Sequence, residues 1–138
     1  MTYSARTTLR SFLCGAALLT MGTAASSLPI WPHQQAQAFA TCSGRISALT
    51  THQRAVRNPE AEGNAALVET FDLMLEAVLP DALPNEEDAK VSVQWRAQGW
   101  SEVAGLLAHS FYSFDHGVAE RAQAALLARI EDCRNMVL

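Results

Sequence analysis

The sequence predicts an all-α protein: an up-down-up-down four-helix bundle, stapled by one disulfide, behind an N-terminal signal peptide. Three observations lead there. Beyond residue 40 the chain is rich in Ala and Leu and poor in β-branched runs. Its apolar residues fall into four stripes at helical spacing, separated by Pro, Gly, Asn and Asp. Two cysteines, Cys42 and Cys133, lie on the first and last of those stripes and bracket almost the whole of that region.

The leader comes first. Arg6 and Arg10 are the only charges before Arg45, and the apolar run Phe12–Met21 follows them. A basic head, a short apolar core and then small residues describe a secretory signal peptide. Small side chains at the −3 and −1 positions fit cleavage after Ala24, Ala38 or Ala40. Residues 28–35 read as leader tail, which favours the two later sites and sets the expected division at 1–40 and 41–138. The competing reading is a retained anchor over about Phe12–Trp31, diluted by Ser, Thr and Gly. Cys14 lies inside the apolar core instead of after it, so it is not placed for lipid attachment. The two arginines are too far apart for a twin-arginine signal.

Eight of the ten basic residues and all fourteen acids lie beyond the leader, a balance of −6. No basic footprint for nucleic acid is present, and an acidic membrane surface would repel such a body. Two cysteines in an oxidising compartment imply a Cys42–Cys133 disulfide, with free thiols as the alternative. It would close a loop of roughly 90 residues, worth about 4 to 5 kcal/mol in chain entropy.

The first helix is expected over Ser43–Arg57, with Ser43 as its cap and the stripe Cys42, Ile46, Leu49, Gln53 and Val56. Asn58-Pro59 ends it, because a residue before proline resists the α region. The second is expected over Pro59–Leu79, capped by Asn58, striped by Leu67, Val68, Phe71, Met74, Leu75 and Val78, and stopped by Pro80. After the connector Pro80–Pro84 a long third helix runs from Asn85 to Phe114. Trp100, Val103, Ala104, Leu107, Phe111 and Phe114 form its clearest stripe. The period-two stretch Val91–Trp95 allows a short strand, but a lone strand has no partner, and helix is preferred. Gly99 is a candidate kink. Asp115-His116-Gly117 makes a turn, and the fourth helix follows over Val118–Met136, striped by Ala119, Ala122, Leu126, Ile130, Cys133 and Val137. An even number of helices with short loops brings the two cysteines together. The expected architecture is similar in shape to exported helical bundles such as the cytochrome b562-like bundles, a likeness that carries no ligand residue across.

No motif carries chemistry. His52, His109 and His116 have no shared-ligand spacing, so no metal is expected. The Cys-x-x-Cys-His attachment motif is absent, Met74 reads as packing, and no cofactor is expected. Gly99–Val103 lacks the second glycine of a nucleophile elbow. The carboxylate runs Glu86–Asp88 and Glu131-Asp132 suit a helix start and a solvated face. An enzyme would need Ser101, Glu102 or His109 to converge with groups from another helix.

The third helix carries a second stripe, Val91, Trp95, Glu102, Leu106 and His109, with Tyr112 toward its edge. Packing against two neighbours is the plain reading. The sharper one is a partner-binding patch of Trp95, Leu106, His109 and Tyr112 for an envelope protein. The function expected is that of a periplasmic or secreted, non-enzymatic interaction protein: chaperone-like, inhibitor, immunity or envelope-assembly factor. The alternative is a carrier of an apolar small molecule or haem between the helices.

Overall fold

The structure, a computed structural model, describes residues 31–85 and 89–137. The basic head and apolar run of the leader, and the acidic run Glu86–Asp88, lie outside the described residues. Four helices make up the fold: α1 (Pro32–Ala55), α2 (Ala61–Ala82), α3 (Ala89–Tyr112) and α4 (His116–Arg134). Among the described residues there is no strand, and Val91–Trp95 is helical.

The boundaries correct the expectation in four places. α1 starts at Pro32, where proline suits the first helical turn. Residues 32–40, expected as leader tail, are therefore helical, and Ala36, Phe39 and Ala40 are core. Ser43 is not a cap; it is wholly buried mid-helix. Pro80 does not stop α2, which runs on to Ala82; the missing N–H costs one hydrogen bond on an exposed face. α4 starts at His116, and the Asp115 carboxylate accepts from the Val118 amide at 3.1 Å as its cap.

α1 ends in a paired C-cap. The Asn58 amide donates to Gln53 O at 2.8 Å and the Arg57 amide to Arg54 O at 3.2 Å. Arg57 takes the left-handed conformation, φ 57°, that this motif requires. Asn58 then turns the chain, its side chain accepting from the Glu60 amide.

α1 is the central helix. α2 runs antiparallel along one flank, setting Asn64 beside Gln53 and Asp72 beside Ser43. α3 runs parallel along another, with Trp100 against Gly44 and Phe111 against His52. α4 returns antiparallel on α3 and brings Cys133 to Cys42, Cα–Cα 5.5 Å, both wholly buried. The directions are thus up, down, up, down. α2 and α3 do not pack on each other; α1 lies between them.

The α1–α3 contact is unusually close. Gly44 faces the backbone of Arg96 and Trp100, and Gly99 faces the backbone of Thr41. Each glycine removes the Cβ that would hold the helices apart. Gly99 therefore docks α3 instead of kinking it. This docking sets the rotation of α3. Val103 and Leu107 point inward, with Trp95 and Leu106 half-buried against the core.

Three polar clamps each tie three helices. The Ser43 hydroxyl donates to Asp72 at 2.6 Å, and Asp72 also accepts from Arg96 at 2.5 Å. Glu102 accepts from Arg45 at 2.8 Å and from Arg129 at 2.6 Å. Buried Asn64 donates to Gln53 at 2.8 Å and accepts from Arg134 at 3.1 Å. Partial burial works against the charged form of Glu102, but the two arginines more than offset it and hold its carboxyl below its ordinary value. Among the described residues no buried side-chain polar atom lacks a partner.

Candidate partner-binding groove

α3 is turned about its axis relative to the sequence expectation. Of the stripe expected inside, only Val103 and Leu107 are buried; Trp100 is 44% exposed, Phe111 60% and Phe114 fully. The covered face falls between the two stripes: Val103 and Leu107 of the first are buried, and Trp95 and Leu106 of the second are half-buried against the core. Trp95 meets the His33 ring edge-on, centroids 5.0 Å apart, and Leu106 lies on the core. Glu102 is held by its two arginines. The four residues expected as a patch therefore divide. Trp95 and Leu106 serve packing, while His109 and Tyr112 are exposed. The reason is the glycine contact: with Gly99 against Thr41, Trp95 and Leu106 fall on the α1 side and Trp100 falls on the rim.

The exposed ridge of α3 is Val93, Trp100 and Phe111, with Ala97 and Ala104 between them. Val93 is 66% exposed. At 100° per residue these five positions share one face. Arg96 sits just inward of that face and reaches α2 through Asp72. The ridge consequently lines the side of α3 that looks toward α2. A shallow recess of about 320 Å³ lies there, formed by Gly44 and Ser47 of α1 with Val93, Ala97 and Trp100 of α3.

The chain along α2 is acidic. From Asn58 to Ala89 the chain holds nine acids and no Lys or Arg. Glu62, Glu69 and Glu76 recur every seven residues and are exposed. On the helix they stand next to Asp72, on the shoulder facing away from Phe71 and the core. Ser43 binds Asp72, which binds Arg96. Arg54 binds Glu62 at 3.2 Å, while His52 stacks on Phe111, centroids 4.6 Å apart. His52 and Arg54, two residues apart, point to opposite sides of α1, so Glu62 and Phe111 lie on opposite flanks of that helix.

The floor is made of small side chains. Ser43 and Gly44 are buried, Ser47 is half-buried and Thr51 exposed. The result is a shallow recess between α1 and α3, with Val93 and Trp100 on its rim and small α1 side chains at its floor. It offers contact area and charge but no converging nucleophile and base. Ser101 and His109 are exposed and Glu102 is already bound on both oxygens. Among the described residues no group of three or more His, Cys, Asp or Glu is placed to hold a metal.

A second concavity of about 440 Å³ lies between α1 and α4, lined by Leu49, Leu126, Leu127 and Ile130, with Gln53, Glu60 and Arg134 on its rim. Among the described residues no helix is long and apolar enough to cross a membrane.

The heptad of glutamates is legible in the sequence and was the missed signal on α2. On α3 the sequence shows both stripes, and nothing in their spacing says which one is covered. No protein-family model, curated protein or solved structure matches this chain.

Proposed function

We propose that this chain is an exported, non-enzymatic interaction protein and that the recess between α1 and α3 beside Trp100 is where a partner docks. The observation that carries the reading is the row of large apolar side chains, Val93, Trp100 and Phe111, held at the surface along one line. Such residues are kept outside a fold at a cost, and contiguous apolar surface rimmed by charge marks contact sites. Trp is also the residue most enriched among binding hot spots.

Site-specific photocrosslinking in the producing cell tests it. A crosslinker at Ala97, in the groove, should give a discrete adduct that is lost in Trp100→Ala. The same probe at Gln123, on the outer face of α4, should give none. Absence of an adduct at Ala97, or identical adducts at both positions, would refute the groove.

Export rests on the leader pattern and agrees with a buried disulfide, which persists in oxidising compartments. Of the three cleavage positions, only that after Ala24 leaves Ala36, Phe39 and Ala40 in the core. N-terminal sequencing of the exported protein should therefore begin at Ala25; a start at Phe39 or Thr41 would contradict this.

The recess between α1 and α4 supports a second reading, a carrier of an apolar small molecule. Its lining is aliphatic and its rim polar, the common pattern of ligand sites. Native mass spectrometry of protein taken from its own envelope should then show a bound mass that Leu126→Trp displaces.

A further inference from the structure

We infer that the trough between α2 and α4 binds a short apolar peptide, on the scale of a dipeptide, by its two charged ends: the ammonium group on Glu60 and the carboxylate on Arg134. This inference rests on the carrier reading above and gives its ligand a chemical class.

The trough follows from the topology. α4 packs on α3 and meets α1 at the disulfide, but it does not pack on α2. Two concavities open in the gap this leaves. The one of about 440 Å³ lies against Leu49, Leu126 and Ile130. The other, of about 390 Å³, lies against Gly63, Leu67 and Val137. Glu60 and Arg134 line both, so the two charges stand where the recesses meet. Each volume falls in the range of small-molecule sites, roughly 300 to 1,000 Å³.

The two charges do not bridge each other, because two side-chain amides stand between them. Gln53 donates to Glu60 at 3.3 Å and accepts from Asn64 at 2.8 Å, and Asn64 accepts from Arg134 at 3.1 Å. Gln53 and Asn64 are buried, which fixes both ends of this line. Among the described residues, Gln53 is the only side chain bound to the Glu60 carboxylate and Asn64 the only one bound to the Arg134 guanidinium. A guanidinium has five N–H donors and a carboxylate about four acceptor sites, so both keep capacity for a ligand.

One free charge of each sign, held apart beside apolar walls, complements a molecule that carries both charges at a distance. A peptide does so, with an amide between its ends. Its carboxylate matches the arginine fork and its ammonium group the glutamate. Successive side chains of an extended peptide point to opposite sides, and one aliphatic recess lies on each side of the charged pair. A fatty acid would leave Glu60 unpaired beside its head, and an apolar amine would leave Arg134 so. Glu131, exposed at the rim of the first recess, adds to the attraction for an ammonium group.

The test is an NMR chemical-shift titration of the oxidised protein with three probes: Leu-Leu, its N-acetyl form and its C-terminal amide. Leu-Leu should bind at least about tenfold more tightly than either capped form, since each cap removes one charge-assisted hydrogen bond. Glu60→Gln should abolish the preference over the acetyl form and keep that over the amide. Arg134→Gln should do the converse. Glu131→Gln should leave both preferences standing. Circular dichroism melts verify that each variant folds.

Equal binding of all three probes, with Leu126→Trp still blocking them, would overturn the recognition of charged ends and leave the carrier reading standing. Loss of both preferences in either single variant would also overturn it, since the two ends would then not be read separately. If Leu-Leu moves no signals at millimolar concentration, the inference fails. The bound mass sought in protein from its own envelope then decides separately whether the carrier reading survives.

Discussion

Gly44 and Gly99 hold α1 and α3 at a spacing no other residue permits, and replacing either with alanine should loosen the whole fold. A Cβ at Gly44 would lie 2.9 Å from both the carbonyl carbon of Arg96 and the amide nitrogen of Trp100, and nearer still to the Arg96 oxygen. At Gly99 it would lie 3.0 Å from the Thr41 carbonyl carbon and 3.2 Å from its Cα, again nearer to the oxygen. All of these are backbone atoms, so no side chain can swing away. The helices must part by on the order of 1 Å, which opens the packing of Val103, Cys42 and Ile46 beside the contact. Overpacking of this kind costs about 1 to 3 kcal/mol or more. Helix propensity returns about 1 kcal/mol.

The net loss for Gly99→Ala should be about 2 kcal/mol, a fall in Tm on the order of 10 °C for a domain this size. Gly44→Ala should cost about as much. The double variant should cost less than the sum, because one parting of the helices relieves both clashes. Gly63 and Gly105 are the internal controls. Nothing lies within 4 Å of a Cβ at either, so alanine there should stabilise by about 0.5 to 1 kcal/mol. Urea unfolding monitored by circular dichroism reads all five variants. A Gly99→Ala protein as stable as wild type would refute the close docking of α1 on α3, and with it the rotation that exposes Trp100.

Three further outcomes follow from the core, the staple and the ion clamp. Phe39→Ala should cost about 3 to 5 kcal/mol, since the ring is buried against Phe71 at 6.4 Å between centroids; a loss under about 1 kcal/mol would place residues 32–40 outside the core. Reducing Cys42–Cys133, 91 residues apart in sequence, should lower stability by about 4 kcal/mol, seen as a shift of the urea midpoint with and without reductant. Glu102→Gln should destabilise by about 1 to 2 kcal/mol at neutral pH. Because the folded carboxyl titrates below its ordinary value of 4.5, its contribution is complete above that value and fades as pH falls through the lower folded one. The gap between Glu102→Gln and wild type should therefore narrow in acid. A gap that stays constant between pH 7 and pH 3 would show that Arg45 and Arg129 do not depend on the charge.

Much of this protein is written locally. Apolar residues at helical spacing, with Asn58-Pro59 and Asp115 between the runs, determine four helices and roughly where they end. Two cysteines on the outer stripes determine that the first and last helices meet, because a disulfide needs its Cα atoms within about 7 Å. The heptad of acids on α2 is there to be read as well. What only the tertiary structure decided is which side of α3 is covered. Trp100, Phe111 and Phe114 share a stripe with the buried Val103 and Leu107, so periodicity alone would cover them too. Two glycines 55 positions apart overrule it. Their backbone contact exists only once α1 and α3 lie side by side, and it gains packing over the full length of both helices. The contact fixes the rotation of α3 and leaves the rings of Trp100 and Phe111 exposed.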